Sequence, residues 1–223
     1  MTIPKAAQPP LTPNRFAVST NNATLNPLRP SSKIKASSSP FGAPRLINLS
    51  RGRRSMILYI IRHAIAVEAG SFEGDDSQRP LTSKGQKKMR SIAQGLKELE
   101  IQLDLILTSP YLRSTQTAEI LAKKFDLKAE QVICTDHLAP TGYADQLVDE
   151  INEKYSDVQH IAIIGHEPYL SNLASVLITG DPNASIILKK GGICRLAIEK
   201  IQYGRCAMME WLLSPAQLVE IGE

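Results

Sequence analysis

The chain has 223 residues, 43% of them apolar, which suits one domain with a sizeable core. Its longest apolar runs fall far short of the ~20 residues a membrane span requires. The formal charge of +4 is unevenly placed. Residues 1–55 hold nine of the 26 Lys and Arg and no Asp or Glu, leaving residues 56–223 with 17 basic against 22 acidic residues, a net of −5. An acidic body argues against nucleic acid as a partner. Three scattered cysteines, Cys134, Cys194 and Cys206, with no CxxC pair, point to core thiols in a reducing compartment rather than a disulfide frame or zinc site.

Residues 1–55 hold eight of the 14 prolines and twelve Ser or Thr, with no sustained apolar period. Such a segment buries too little surface to offset its ordering entropy and is predicted to be a disordered basic tail. Two readings of it stay open. A Ser-rich, Arg-bearing, acid-free stretch fits an organelle transit peptide, which places the body in a plastid stroma. Alternatively the start is set too far upstream and Met56 is the initiator, which leaves a cytoplasmic protein. The absence of an apolar h-region argues against a secretory signal.

The body, 56–223, begins with Ile57 to Ile61, a continuous, partly β-branched run that reads as a buried strand. It stops abruptly at Arg62-His63. A polar loop, Glu68 to Arg79, leads to Pro80-Leu81-Thr82-Ser83, where Thr82 or Ser83 caps a helix to about Leu99. Met89, Ile92, Ala93, Leu96 and Leu99 form its inner face. Leu103 to Leu107 is the next strand. Thr108-Ser109-Pro110 turns it into a helix with a buried stripe of Leu112, Thr115, Ala118, Leu121 and Ala122. A short strand Gln131 to Cys134, a loop 136–142 and a helix Ala144 to Lys154 follow. His160 to Ile164 is a strand, and Gly165-His166-Glu167-Pro168 leads into a helix Tyr169 to Thr179. Ile186 to Lys189, Cys194 to Glu199 and Ala207 to Leu213 read as short closing strands. This alternation predicts a three-layer α/β/α sandwich with a mostly parallel central sheet.

Three strand ends carry cations or imidazoles: Arg62-His63, Arg113 and His166. If the strands are parallel, these groups meet above the carboxyl edge of the sheet, where open α/β folds bind ligands. Two guanidinium forks, two imidazoles and nearby helix N-termini suit a tetrahedral phosphate. Arg79, in the loop after the first strand, is positioned to fold over the same site. Each group alone has an ordinary reading as a strand-end or surface residue; the combination is what carries weight. Metal binding is the other reading of two histidines, but no carboxylate or Cys accompanies them at ligand spacing and two Arg repel a divalent ion, so no metal or cofactor is expected.

These residues carry a resemblance. Ile60-Ile-Arg62-His63, Ser109-Pro110-Tyr111-Leu112-Arg113-Ser114-Thr115-Gln116-Thr117-Ala118 and Ile164-Gly165-His166 resemble the three motifs of the histidine phosphatase superfamily, whose fold is phosphoglycerate mutase-like. Arg79-Pro80-Leu81-Thr82, Leu138-Ala139-Pro140-Thr141-Gly142, His166-Glu167-Pro168 and Trp211-Leu-Leu-Ser214-Pro215 are similar to its small SixA-type phosphohistidine phosphatases. The resemblance implies that His63 is a nucleophile forming a phosphohistidine intermediate, with Arg62, Arg113 and His166 on the phosphoryl oxygens and Arg79 assisting. It implies a phosphohistidine-bearing phosphorelay protein as substrate partner. The alternatives are a broad small-molecule phosphomonoesterase and a non-catalytic phosphate-binding scaffold.

Two features depart from the superfamily pattern. The usual Gly after Arg-His is Ala64, which predicts a turn with negative φ. In phosphoglycerate mutases and many phosphomonoesterases of the superfamily, a carboxylic acid in the loop after the third strand protonates the leaving group. Loop 136–142 offers only Asp136 and His137 at its start. A phosphoramidate, with its labile P–N bond, has less need of that acid than an alkoxide ester does.

Overall fold

The computed structural model describes residues 55–223, and the tail expected over 1–55 lies outside the described residues but for Ser55. Six strands, β1 (Met56–Arg62), β2 (Leu105–Thr108), β3 (Val132–Cys134), β4 (His160–Gly165), β5 (Ile193–Ile198) and β6 (Ala207–Leu213), form one sheet in the order β3-β2-β4-β1-β5-β6. The first four strands run parallel, and β5 and β6 extend the sheet antiparallel.

The helices are α1 (Ser83–Glu98), α2 (Leu112–Phe125), α3 (Ala144–Lys154), α4 (Tyr169–Thr179) and α5 (Pro215–Ile221). Strand alternation divides the core between two faces. Leu58 and Ile60 of β1 pack with Leu147 and Ile151 of α3 and Leu170 and Leu173 of α4. Ile57, Tyr59 and Ile61 face the other way, onto Met89 and Ile92 of α1, Leu121 of α2 and Leu218 of α5. The connections explain this division. From β1 through β2 to β3 the chain steps outward along the sheet, and from β3 to β4 it steps back. A fixed crossover hand therefore puts α1 and α2 on one face and α3 on the other. The architecture is the expected α/β/α sandwich.

Three local expectations need correction. Ile186 to Lys189 is not a strand. Ile187 is 76% exposed, and the carbonyl of Leu188 accepts a hydrogen bond from Arg62 Nη1 at 2.9 Å instead of joining a ladder. The α2 stripe is shifted at its start: Arg113, Ser114 and Thr117 are buried while Leu112 and Thr115 are only half-buried, because polar site residues occupy the inner face of the first turns. Leu99 caps α1 and is 38% exposed, outside the core.

Helix α5 went unread. Its signal is present in Ser214-Pro215-Ala216-Gln217, a capping box with Pro at the first helical position.

Candidate active site

The parallel register puts the four key residues on one edge. Arg62 pairs with Gly165, one residue before His166, and the His63 N–H donates to the Gly165 carbonyl at 3.1 Å. β2 lies on the other side of β4, so the turn after Thr108 brings the N-terminus of α2 alongside. The His63 and His166 rings end with centroids 5.1 Å apart, and Tyr111 sets its ring edgewise 5.1 Å from His166. The Arg113 guanidinium lies 4.8 Å from the centre of the Tyr111 ring. The expected gathering of Arg62, His63, Arg113 and His166 is thus what the fold produces.

His63 is 6% exposed. Its Nδ1 lies 2.7 Å from the carbonyl of its neighbour Ala64. A carbonyl only accepts, so Nδ1 bears the proton and Nε2 keeps its lone pair. The Ala64 N–H is held in turn by Thr117 Oγ1 at 3.1 Å, and φ at Ala64 is not positive, as the replacement of Gly predicts. Burial pushes the His63 pKa down to about 4; the Ala64 bond acts against this, and Arg113, Arg62 and Lys190 add to it. Burial likewise takes His166 to about 3, helped by His63 and Arg113. Both imidazoles are therefore neutral at physiological pH.

Arg62 is braced by Leu188, and its buried Nε has no partner among the described residues. Arg113 donates from Nη1 to the Asp76 carbonyl at 2.7 Å and from Nη2 to Asp76 Oδ2 at 2.9 Å. Arg79 donates from Nε to the other oxygen of Asp76 at 2.7 Å and from Nη1 to the Val67 carbonyl. Arg79 thus joins the site through Asp76 rather than through the histidines.

Asp76 is the residue that sequence reasoning missed. An isolated antiparallel bridge between Ala66 and Leu81 closes the base of the β1–α1 excursion, and a 3-10 turn at Asp76–Gln78 delivers the carboxylate to α2. Its three-residue spacing to Arg79 is the one signal the sequence offers for an Asp–Arg pair. Burial tends to raise the Asp76 pKa, but the hydrogen bond from Arg79 and the charge of Arg113 outweigh it and hold the carboxyl below its usual range. Lys190 was also unforeseen; it pairs with Glu68 at 3.5 Å and adds positive charge near His63.

The acid candidates of loop 136–142 do not reach this cluster. Asp136 is exposed, and His137 lines a cleft with Gln146, Asp149, Glu150 and Glu153 of α3. Among the described residues, no group of three or more His, Cys, Asp or Glu is arranged to hold a metal ion. No described helix is long and apolar enough to cross a membrane. The site gathers two neutral imidazoles and two guanidinium groups at one edge of the sheet.

Comparison with known proteins gives the same picture. The family described as histidine phosphatase superfamily (branch 1) matches residues 58–157. An uncharacterised protein of Picosynechococcus sp. is 36% identical over 63% of this chain and 84% of its own length. A phosphohistidine phosphatase SixA homolog of Haemophilus influenzae is 31% identical over 55% of this chain and 77% of its own. The solved structure of the protein histidine phosphatase SixA complexed with tungstate superposes with a TM-score of 0.64 at 25% identity, covering 73% of this chain and 99% of that one.

Proposed function

The chain belongs to the histidine phosphatase superfamily, on its SixA-type side, and from that premise we propose that it hydrolyses phosphohistidine on phosphorelay proteins. The observation that carries the reading is the pairing of Asp76 with Arg79 and Arg113. The carboxylate that reaches the site is held ionised by two guanidinium groups and is not a proton donor near neutral pH. An alkoxide leaving group needs such a donor; the imidazole of a phosphoramidate departs far more readily.

In this reading His63 Nε2 attacks phosphorus as the substrate P–N bond breaks, and the departing imidazole takes its proton from water. Nδ1–H on the Ala64 carbonyl aims the lone pair and stabilises the ring as it gains charge. Arg62, Arg113 and His166 surround the equatorial oxygens, where charge spreads in the transition state. Water then attacks the phosphorylated His63, its hydroxyl going to phosphorus as the P–Nε2 bond breaks and its proton going to solvent, where it neutralises the hydroxide left by the first step, so that Nε2 regains its lone pair. Inorganic phosphate leaves and the resting enzyme is restored. Arg79 assists at one remove, by holding Asp76 against Arg113.

The relatives support the substrate class, since the Haemophilus influenzae homolog is named a phosphohistidine phosphatase and the tungstate-bound neighbour a protein histidine phosphatase. The test is a comparison of kcat/KM for a histidine-phosphorylated phosphotransfer protein against sugar and glycerate phosphates. The phosphoprotein is expected to be turned over faster. Preference for the small esters overturns the proposal in favour of a general phosphomonoesterase, and turnover of neither favours a binding scaffold.

A further inference from the structure

His166 can serve a phosphoryl group only if it offers a hydrogen, because a neutral imidazole turned to present a lone pair repels anionic oxygens. Which nitrogen carries that hydrogen is decided by the partners of the ring, and Ser109 is the partner that decides. Ser109 is fully buried at the turn between β2 and α2, with its Oγ 2.8 Å from His166 Nε2. The same oxygen accepts the backbone N–H of Tyr111 at 3.3 Å. Those are the hydrogen bonds of this hydroxyl among the described residues. With Tyr111 donating to it, the hydrogen of Ser109 has one acceptor within reach, the Nε2 lone pair.

The opposite arrangement, with Nε2 protonated and donating to Ser109, leaves the serine hydrogen without an acceptor among the described residues. With Ser109 donating instead, the one hydrogen left over sits on Nδ1, where a phosphoryl oxygen can accept it. Ser114 Oγ, at 3.4 Å, approaches the same nitrogen and is a second, weaker candidate for that bond. On the other side of the ring, His166 Nδ1 is buried and has no partner among the described residues.

We propose that Ser109 is a positioning residue that locks His166 as the Nδ1–H tautomer, so that a neutral ring presents a ready donor to the phosphoryl group. This rests on the phosphatase reading for the identity of the anion, but not for the tautomer itself. The two histidines then share one tautomer and use it oppositely. His63 spends its Nδ1–H on the Ala64 carbonyl and attacks with Nε2. His166 spends its Nε2 lone pair on Ser109 and donates with Nδ1–H.

The experiment is 15N NMR of the histidine-labelled full chain, unliganded and titrated with inorganic phosphate, for the wild type and Ser109→Ala. The wild type is expected to show pyrrole-type Nδ1 and pyridine-type Nε2 at His166, with the Nδ1 proton shifting downfield on adding phosphate. In Ser109→Ala the ring is expected to populate both tautomers, and phosphate affinity to fall about tenfold. An Nε2–H tautomer in the wild type overturns the proposal, and this readout stands even if the variant does not fold. A fully retained Nδ1–H tautomer in a folded Ser109→Ala also overturns it. Because the tautomer is read without substrate, a wild type that shows it but hydrolyses nothing contradicts the phosphatase reading alone.

Discussion

Placed in water, the His63 imidazole would be half-protonated near pH 6.5; in this fold it is neutral because burial and three nearby cations disfavour its charged form. In the proposed reaction the same cations receive the phosphoryl group, so one arrangement both frees the lone pair and attracts the electrophile. Arg113 contributes most directly, being almost fully buried and held in place by Asp76. Arg113→Ala is expected to lower kcat/KM by roughly 10²–10³, the usual cost of removing a preorganised donor from a developing oxyanion. Steady-state kinetics on a phosphohistidine protein checks it, and a change below tenfold would place Arg113 outside the transition state. His63, Arg62, Arg113 and His166 were legible in the sequence because each sits at a strand end or in the first turn after one, where chain position alone fixes location. Asp76 and Lys190 were not. They come from irregular segments whose paths depend on tertiary bonds such as those to Val67, Glu68 and Arg113.

At the scale of elements, α1 shows where local preference yields to packing. Two glycines inside a helix cost about 1 kcal/mol each relative to Ala, and propensity alone would replace both. The neighbours forbid it. A Cβ on Gly95 would lie 1.9 Å from the carbonyl oxygen of Leu218 in α5, and one on Gly85 would lie 2.0 Å from that of Ile65. Gly95→Ala is therefore expected to destabilise the protein by about 1–3 kcal/mol despite its better helix propensity. Urea unfolding measures this, and a stabilised variant would contradict the close approach of α1 and α5. The periodic elements were readable from apolar spacing: α1, α3, α4 and the strands appear close to their expected places. The errors fall where spacing stops being informative. The first turns of α2 bury polar residues for the site, and Ile186 to Lys189 is apolar yet serves Arg62 through a backbone carbonyl.

At the scale of the whole molecule, the buried neutral histidines tie stability to pH. Their folded pKa values, about 4 and about 3, lie below the unfolded value near 6.5. Between these limits the unfolded chain binds more protons, so stability rises with pH; it is fully present above pH 6.5 and is lost as pH falls through the folded values. For His63 alone the loss is on the order of 3 kcal/mol. Thermal unfolding is expected to show Tm falling steeply from pH 6.5 to pH 4 in the wild type and less steeply in His63→Gln. Equal slopes in the two proteins would contradict the burial of a neutral ring. The sheet order that brings the histidines together was only partly legible. Alternating strands and helices imply a parallel sheet, but nothing local in the sequence states that β4 lies between β1 and β2.

That adjacency underlies the role proposed for His63, and the role can be measured directly. The wild-type chain is mixed with a 32P-labelled phosphohistidine protein, quenched in alkali to preserve phosphoramidates, and mapped by peptide. The account predicts transient label on His63, and in His63→Ala no label and no turnover while inorganic phosphate still binds. Label on another residue, or normal turnover by His63→Ala, would contradict it.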